Sequence, residues 1–290
     1  MKWLERFSSC IEYIEENLKG DIEIDELAKK SYLSKEYFCR IFQYVTDIPF
    51  NEYVRKRRMT LAAKELINSN TKIIDLALAY GYSSPEAFSR AFKQIHGISP
   101  KEARSKKSVL KAYLPLSFQI QIKGDIEMNY KIVKREKLQV VGVCKEFTTR
   151  DGRNFKEIPE FWRKFNCNEL SEINCEQLDE YNSKEEIYGI CLPKEDGNDD
   201  TFNYMIAVPY NGKEIKEGLE VKVLPEATWA VFKSIGPVNK TLQKNIKRVF
   251  TEWLPATKYE IAGIADVEVY PYGEINNEDY ECELWVAVKE

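Results

Sequence analysis

The feature that most constrains the fold of this chain is a repeated segment within its first hundred residues. The stretch SKEYFCRIFQYVTDI begins at Ser34, and the similar stretch SPEAFSRAFKQIHGI begins fifty residues later at Ser84. In both stretches apolar residues recur every three or four positions, which is the spacing of one face of an α-helix. Two similar helices at a fixed separation predict a duplicated structural unit.

Each repeated helix follows a shorter helical segment. The segments are IDELAKKSYLS and IIDLALAYGYS, and each has a small residue, Ala28 or Ala77, where two helices can cross closely. Gly81 suits a turn residue in the left-handed conformation. A short helix, a turn and a second helix predict a helix-turn-helix, whose second helix enters the DNA major groove. A long helix from about Phe50 to Asn68 is expected to join the two units.

The polar faces of the repeated helices carry side chains that can reach base edges. Arg40 and Arg90 occupy the same place in the two copies, and arginine binds guanine bidentately with a discrimination of about 1–3 kcal/mol. A helical bundle with a duplicated packing motif is the alternative, and the two matched arginines argue against it. The predicted DNA-binding residues are Lys35, Glu36, Cys39, Arg40, Gln43, Glu86, Ser89, Arg90 and Lys93.

Charge is divided unevenly along the chain. Residues 1–107 hold 19 Lys and Arg against 15 Asp and Glu, a net charge of +4, whereas the remainder holds 24 against 32, a net charge of −8. A basic N-terminal part suggests that this part faces a polyanion. We expect a cytoplasmic protein, because no apolar run approaches the roughly 20 residues of a membrane span and the N-terminus carries acidic residues that a signal peptide lacks.

Residues 5–104 resemble the DNA-binding domain of AraC/XylS-type transcription regulators. The stretch GYSSPEAFSRAFKQIHGISP carries the most specific part of the resemblance. The resemblance implies base contacts from residues of both repeated helices, namely Glu36, Cys39, Arg40, Glu86, Ser89 and Arg90. Arg57 and Arg58 lie in the linking helix, and we expect one of them to have a structural role against an acidic partner.

The composition and the periodicity of the sequence change after Ala103. A basic, then alternating stretch is followed after Met128 by segments rich in Val, Ile, Tyr and Phe, which predict strands. Two helices are expected between them, at Ile158–Phe165 and Val238–Trp253. The order strand, helix, strand, strand occurs twice, and such a doubled unit commonly leaves a cleft at its pseudo-twofold junction. The predicted fold class is α+β, with an all-α tandem helix-turn-helix domain over 1–106, a linker over 107–126 and a domain of duplicated βαββ units over 127–290.

The second part, about 127–290, resembles GyrI-like effector-binding domains. WAVFKSIGP, WLP and the last strand, YECELWVAVKE, carry this resemblance. It implies a central cleft for a small hydrophobic or cationic molecule and a functional glutamate in the last strand, here Glu283. An AraC-type domain followed by a GyrI-like domain is the arrangement of Rob-type regulators.

The residues themselves also suggest a binding cleft. In the last strand, Glu283 and Trp285 share a face, and a carboxylate among aromatic rings is suited to capture a cation. Further aromatic residues are candidates for the wall, although plain core packing explains each of them equally well. The predicted ligand-binding residues are Trp162, Tyr188, Tyr204, Tyr270, Glu283 and Trp285.

The residue types limit the chemistry of the chain. His96 is the sole histidine, and the seven cysteines include no Cys-x-x-Cys pair, which argues against a zinc site and a His-based catalytic triad. We therefore expect no metal, no cofactor and no enzymatic activity. Two alternatives stay open, a hydrolase in which Glu283 acts with a tyrosine and a domain that only sequesters a ligand or a protein, with vestigial DNA binding.

The expected function is that of a ligand-responsive transcription regulator. Its expected partners are double-stranded DNA, a small-molecule effector and RNA polymerase, with no membrane partner. Two reading helices in one chain permit a monomer on DNA without requiring one.

Overall fold

The structure, a computed structural model, describes residues 2–106, 110–117, 128–166, 178, 181, 186–194 and 201–290. Of the expected linker 107–126, residues 107–109 and 118–126 lie outside the described residues. The N-terminal part consists of helices α1 (Lys2–Glu16), α2 (Ile24–Ser31), α3 (Lys35–Thr46), α4 (Phe50–Asn68), α5 (Ile73–Ala79), α6 (Pro85–His96) and α7 (Pro100–Lys106).

The repeated segments form equivalent helices. The Ser34 side chain caps α3 by accepting from the backbone N–H of Tyr37 at 3.2 Å, and Ser84 caps α6 by accepting from Ala87 at 3.1 Å. Residues in the left-handed conformation end both helices, Asp47 with φ 60° and Gly97 with φ 84°. The prediction of two helix-turn-helix units joined by a long helix is confirmed.

The two helix-turn-helix units have different surroundings. The second has its own apolar cluster around Phe88, Phe92 and Leu76. The first shares one continuous cluster with the C-terminal part, in which Phe38 and Phe42 of α3 belong to the same group as Phe232 and other residues beyond 229. The first unit is therefore packed against the C-terminal domain, whereas the second is built around its own core.

Arg57 of α4 has the structural role that the sequence suggested for one of two arginines. Its side chain is nearly buried, and its Nε and Nη2 atoms donate to Glu15 of α1 at 2.9 and 2.6 Å. The Tyr53 hydroxyl donates to the same carboxylate at 2.6 Å. These bonds tie α4 to α1.

Within its described residues, the C-terminal part comprises one eight-stranded antiparallel sheet and two main helices. The strands are β1 (Tyr130–Arg135), β2 (Leu138–Thr148), β3 (Glu186–Leu192), β4 (Thr201–Pro209), β5 (Glu220–Leu224), β6 (Ala227–Ile235), β7 (Glu260–Pro271) and β8 (Glu281–Lys289). Helix α8 (Asn154–Asn166) follows β2 and a short 3₁₀ turn at Arg150–Gly152. Helix α9 (Val238–Arg248) follows β6 and continues into a π-helical turn at Val249–Trp253 and a short α10 (Leu254–Ala256).

The strand order shows an internal pseudo-twofold symmetry. The order is β1-β6-β8-β7-β3-β4-β2-β5, and exchanging β1–β4 with β5–β8 reverses it. Each predicted βαββ unit is present, and each is preceded by one further strand, β1 in the first unit and β5 in the second. Strand β1 pairs with β6 and β5 pairs with β2, so each of them pairs with a strand of the other unit. The junction of the two units lies between β3 and β7, and the α+β fold class is confirmed.

Both helices cover the same face of the sheet. Leu284, Glu268, Gly189 and Ile206 lie directly opposite one another on successive strands, so their side chains share that face. Helix α8 packs over the Ile206 end and α9 over the Leu284 end. The β3–β7 junction therefore forms the floor of a groove between the two helices. Among the described residues, no helix combines the length and apolar character needed to cross a membrane.

Candidate functional site

A cavity of about 950 Å³ occupies the groove between α8 and α9. Its walls include Trp162 of α8, Tyr204 of β4, and Glu268 and Tyr270 of β7. Helix α3 of the first helix-turn-helix contributes the side chain of Tyr44, so residues of both domains line the cavity. Its volume lies within the range of about 300–1,000 Å³ typical of sites for small organic molecules.

Glu268 is a buried carboxylate on the floor of this cavity, 9 % exposed. Its Oε2 atom accepts hydrogen bonds from the hydroxyls of Tyr204 at 2.7 Å and Tyr270 at 2.9 Å. Burial raises the pKa of Glu268, and the two hydroxyl donors act in the opposite direction by favouring the carboxylate. The carboxyl group is therefore held in a fixed position by two phenols, and its ionised form is favoured by their hydrogen bonds.

Trp162 completes an aromatic frame around this carboxylate. Its indole N–H donates to the Tyr204 hydroxyl at 2.9 Å, and its ring meets the Tyr270 ring edge-on with centroids 5.2 Å apart. Aromatic faces next to a carboxylate attract a cation by charge pairing and by cation–π interaction. Trp162, Tyr204 and Tyr270, three of the sequence-predicted ligand residues, are thus brought together at one cavity.

Gly189 of β3 makes room for this arrangement. A Cβ atom at this position would collide with the Tyr204 hydroxyl and lie 2.8 Å from Glu268 Oε2. Gly189 is directly opposite Glu268 in the β3–β7 ladder. The absence of a side chain at the junction of the two units therefore allows the tyrosine and the glutamate to meet.

A second carboxylate lies two residues away on the same face of β7. Asp266 is 8 % exposed and forms an ion pair with the guanidinium of Arg40 in α3. Its Oδ1 atom also accepts from the Tyr37 hydroxyl at 2.6 Å. Burial raises the pKa of Asp266, whereas Arg40 and Tyr37 counteract that effect. The ion pair joins the first helix-turn-helix directly to the floor of the groove.

The structure places the predicted DNA-binding residues of α3 differently from those of α6. Glu36, Cys39, Arg40 and Gln43 are all buried, since α3 lies against the C-terminal domain. The structure therefore differs from the expectation that both repeated helices expose their polar faces, since only α6 does so. Lys35 is half-buried, and its ammonium group lies 2.9 Å from Asp25.

The polar face of α6 is open to solvent. Glu86, Arg90 and Lys93 are exposed, and Ser89 is half-buried. Its apolar face, including Phe88 and Phe92, is fully buried in the second unit. The polar face of α6 is therefore accessible from solvent in this structure.

Three predicted ligand residues lie away from the cavity. Tyr188, Glu283 and Trp285 are on the opposite face of the sheet, where the Trp285 ring contacts the rings of Tyr188 and Trp229 with centroids 5.8 and 6.2 Å apart. The Glu283 carboxylate accepts from the Trp285 indole at 2.7 Å and from Lys131 at 2.9 Å. The alternation of β8 was read correctly, and its Trp285 face packs against Tyr188 and Trp229 outside the cavity.

Sequence reasoning missed Glu268 and Asp266. The signal was present in ADVEVY, residues 265–270, where two carboxylates and a tyrosine alternate with apolar residues. Alone, this pattern is typical of a strand with one solvated face. Only the topology shows that this strand is central and that its polar face lies under two helices. Among the described residues, no group of three or more His, Cys, Asp and Glu side chains is placed to hold a metal ion.

Comparison with known proteins agrees with this division of the chain. Residues 131–288, more than half of the chain, match the family described as integron-associated effector binding protein. Residues 27–106 match a helix-turn-helix domain family. Two solved structures resemble the second part, SAV2435 bound to tetraphenylphosphonium (24 % identity, 56 % of this chain, 94 % of that chain, TM-score 0.49) and the integron cassette protein VCH_CASS2 of Vibrio cholerae (16 %, 55 %, 95 %, 0.42).

The N-terminal part has close relatives among transcription regulators. It is 41 % identical to the regulatory protein SoxS of Salmonella typhimurium over 96 residues, which are 33 % of this chain and 90 % of SoxS. It is 39 % identical over 93 residues to the transcriptional activator AarP of Providencia stuartii, with 32 % of this chain and 69 % of AarP covered. The chain is therefore an AraC-type transcription regulator, with a DNA-binding tandem helix-turn-helix domain and a C-terminal domain that belongs to the integron-associated, GyrI-like effector-binding family.

Proposed function

We propose that this regulator senses a lipophilic cation, which binds in the cavity between α8 and α9 with Glu268 as its counter-charge. The observation that carries the proposal is the position of Glu268, a buried carboxylate on the cavity floor, fixed by the Tyr204 and Tyr270 hydroxyls. Trp162 and the two tyrosines supply the aromatic surface for the apolar part of the effector. Cation–π attraction at such a desolvated site is worth about 2 kcal/mol in addition to the charge pairing.

The output of the sensor is sequence-specific DNA binding. We assign base reading to Glu86, Ser89, Arg90 and Lys93 of α6, whose polar face is available as it stands. The corresponding residues of α3 are Lys35, Glu36, Cys39, Arg40 and Gln43, and they require α3 to leave the groove. RNA polymerase is the further partner that a DNA-bound regulator of this kind would engage, and the cytoplasm is the compartment where both are found.

The role of the cavity is binding and not conversion of the effector. The Glu268 atom nearest the aromatic frame is already occupied by two hydroxyl donors, which favour a stationary carboxylate over one that exchanges protons. An effector incubated with the protein is expected to be recovered unchanged, as mass spectrometry would show. Turnover that disappears in Glu268→Gln would support the hydrolase alternative instead.

The experiment that tests the cation site compares two ions of one shape. Tetraphenylphosphonium and tetraphenylborate are nearly isosteric and opposite in charge, so they separate the contribution of charge from that of apolar contact. Calorimetric titration of the full chain should show binding of the phosphonium ion and little or no binding of the borate. Equal affinity for the two ions would refute a cation-selective site.

Two variants identify the carboxylate responsible. Glu268→Gln should weaken phosphonium binding at least about tenfold, which corresponds to about 1.4 kcal/mol. Glu283→Gln is the matched control, since it makes the same substitution on the opposite face of the sheet and should leave the affinity unchanged. If Glu283→Gln abolishes binding and Glu268→Gln does not, the effector site is on the other face.

A further inference from the structure

The first reading helix is seated in the same groove that contains the effector cavity. Arg40 pairs with Asp266 on the groove floor, and the Tyr37 hydroxyl donates to that carboxylate at 2.6 Å. On the α8 side the Tyr44 ring contacts the Phe155 ring edge-on, with centroids 5.9 Å apart. These contacts place α3 between α8 and α9.

An exposed ion pair adds to this docking on the α9 side. Asp47, which ends α3, pairs with Lys247 of α9. Lys247 is 41 % exposed and Asp47 is 70 % exposed, so this contact can be changed without disturbing a core. Helix α3 is thus attached to both helices and to the floor of the groove.

The docked position leaves polar atoms of α3 without hydrogen-bond partners among the described residues. They are Glu36 Oε2, Arg40 Nε and both amide atoms of Gln43, all buried. Buried polar groups are normally paired, so the groove does not complement this face of α3. The same face is the one that the duplicated helix α6 presents to solvent. Base edges offer hydrogen-bond donors and acceptors to such side chains. DNA therefore provides partners for the polar atoms of α3 that have none in the docked position.

The guanidinium of Arg40, which pairs with Asp266, is close to the proposed position of the effector. Asp266 and Glu268 are two residues apart on one strand face, about 7 Å along the strand. A cation held by Glu268 would therefore stand near the Arg40 guanidinium, beside two carboxylates that are 8 % and 9 % exposed. Like charges at that separation repel each other more strongly in a buried site than in solvent. Tyr44 of α3 also lines the cavity, so a bulky effector presses on the same helix.

We propose that α3 is latched in the groove by the Arg40–Asp266 pair, and that a cationic effector weakens this latch and releases the first helix-turn-helix to bind DNA. In this arrangement Arg40 is an internal cation that belongs to the DNA-reading face. The closed protein reads DNA with α6 alone, and the released protein reads with both helices. The effector part of this inference rests on the proposed function, whereas the latch itself does not.

The latch is tested without any effector. Asp266→Asn removes the negative charge that pairs with Arg40. Lys247→Glu replaces the attraction between Lys247 and Asp47 by repulsion between two carboxylates, and it carries little risk to folding because both positions are exposed. Lys244→Glu is the matched control, an exposed lysine on α9 with the same change of charge. Binding of each full-length variant to a fluorescent duplex is measured against salt concentration. Because each neutralised phosphate adds about 0.9 to the slope of log K against log salt, release of α3 should steepen the slope by about 2 or more.

The thiol of Cys39 reports the position of α3 independently of DNA. Cys39 is fully buried, whereas Ser89 at the equivalent place in the open helix α6 is half-buried. Maleimide labelling of Cys39, followed by peptide mass spectrometry, should be about tenfold faster in Asp266→Asn and Lys247→Glu than in wild type and Lys244→Glu. If neither latch variant changes the salt slope or the labelling rate, α3 is not held by these contacts and the inference is overturned.

A second arm separates the latch from its effector. In wild type, tetraphenylphosphonium at a concentration that just saturates the site should raise both Cys39 labelling and DNA affinity toward the values of Asp266→Asn. The same concentration should have a much smaller effect on both in Glu268→Gln, because the weakened site is largely empty. If the ion binds but leaves labelling unchanged or slower, its proposed action on the latch is refuted. If the ion fails to bind while the latch variants still open α3, the proposed effector class is wrong and the latch stands.

Discussion

Arg40 and Arg90 occupy equivalent positions in α3 and α6, yet the Arg40 side chain is 3 % exposed and paired with Asp266 whereas Arg90 is exposed to solvent. The repeat therefore gives two helices of one kind in two environments. A substitution in α3 can therefore be compared with the same substitution at the equivalent position of α6 in the same protein.

Arg40→Ala should destabilise the protein far more than Arg90→Ala. Removing Arg40 leaves Asp266 buried without its cation, so we expect the free energy of unfolding to fall by about 3 kcal/mol. Arg90→Ala removes an exposed side chain and should change it by less than about 0.5 kcal/mol. Urea denaturation followed by circular dichroism measures both. Equal losses would mean that the ion pair contributes nothing specific, and Asp266→Ala added to Arg40→Ala should recover part of the loss.

Arg90→Ala should weaken sequence-specific DNA binding. If Arg90 reads a guanine, its loss costs about 1–3 kcal/mol on a duplex selected from a random pool and relaxes the base preference at one position. Lys156→Ala is the charge-matched control, because Lys156 is exposed on α8 in the effector-binding domain. Fluorescence anisotropy gives the affinities. A uniform loss across all duplex sequences would indicate that Arg90 contacts phosphate and not a base.

Tyr204→Phe should reduce cation affinity more than Tyr270→Phe. Both hydroxyls donate to Glu268 Oε2, but Tyr204 also accepts from the Trp162 indole, which loses its partner in Tyr204→Phe. We expect losses of about 1–3 kcal/mol and about 1 kcal/mol, respectively, in tetraphenylphosphonium binding measured by calorimetry. The reverse order would show that the bridge to Trp162 does not orient the site.

The affinity for a cation should rise with pH and then level off. Burial raises the pKa of Glu268, so the neutral carboxyl, which does not attract a cation, persists to higher pH than in an ordinary glutamate. The affinity should therefore increase as the pH passes through that raised pKa. The charged and titratable groups that interact with Glu268 from the elements packed around it are Arg40, Tyr44, Cys191, Tyr204, Asp266, Tyr270 and Cys282.

Glu268→Gln provides the control for this pH dependence. Burial raises the pKa values of Tyr204 and Tyr270 well above 10, so both phenols stay neutral over the range of the titration. The residual affinity of Glu268→Gln should be nearly independent of pH. Should its profile match that of wild type, another group such as Asp266 controls binding.

The local parts of the fold could be predicted from the sequence. Helical spacing is encoded within a few residues, and α4 spans Phe50–Asn68 as the apolar pattern predicts. The candidate cavity wall was found in part, because Trp162, Tyr204 and Tyr270 are aromatic residues in the right domain.

The choice between Glu268 and Glu283 could not be made in this way. Both alternate with apolar residues on strands near the pseudo-twofold junction, and a one-strand pattern does not tell which face two distant helices will cover. The burial of Arg40 was equally hidden, since its partner Asp266 lies 226 residues further along the chain.

Because Arg40 and Asp266 belong to one polypeptide, the equilibrium between docked and undocked α3 does not depend on how much of the protein is present. Residues 110–117 lie against α4, where the backbone N–H groups of Tyr113 and Leu116 donate to its side chains. An external molecule that competes with a tethered group must overcome that group's high effective concentration. The identity of residue 266 would then set the effector concentration at which α3 is released, and proteins that differ only at this position would respond at different effector concentrations.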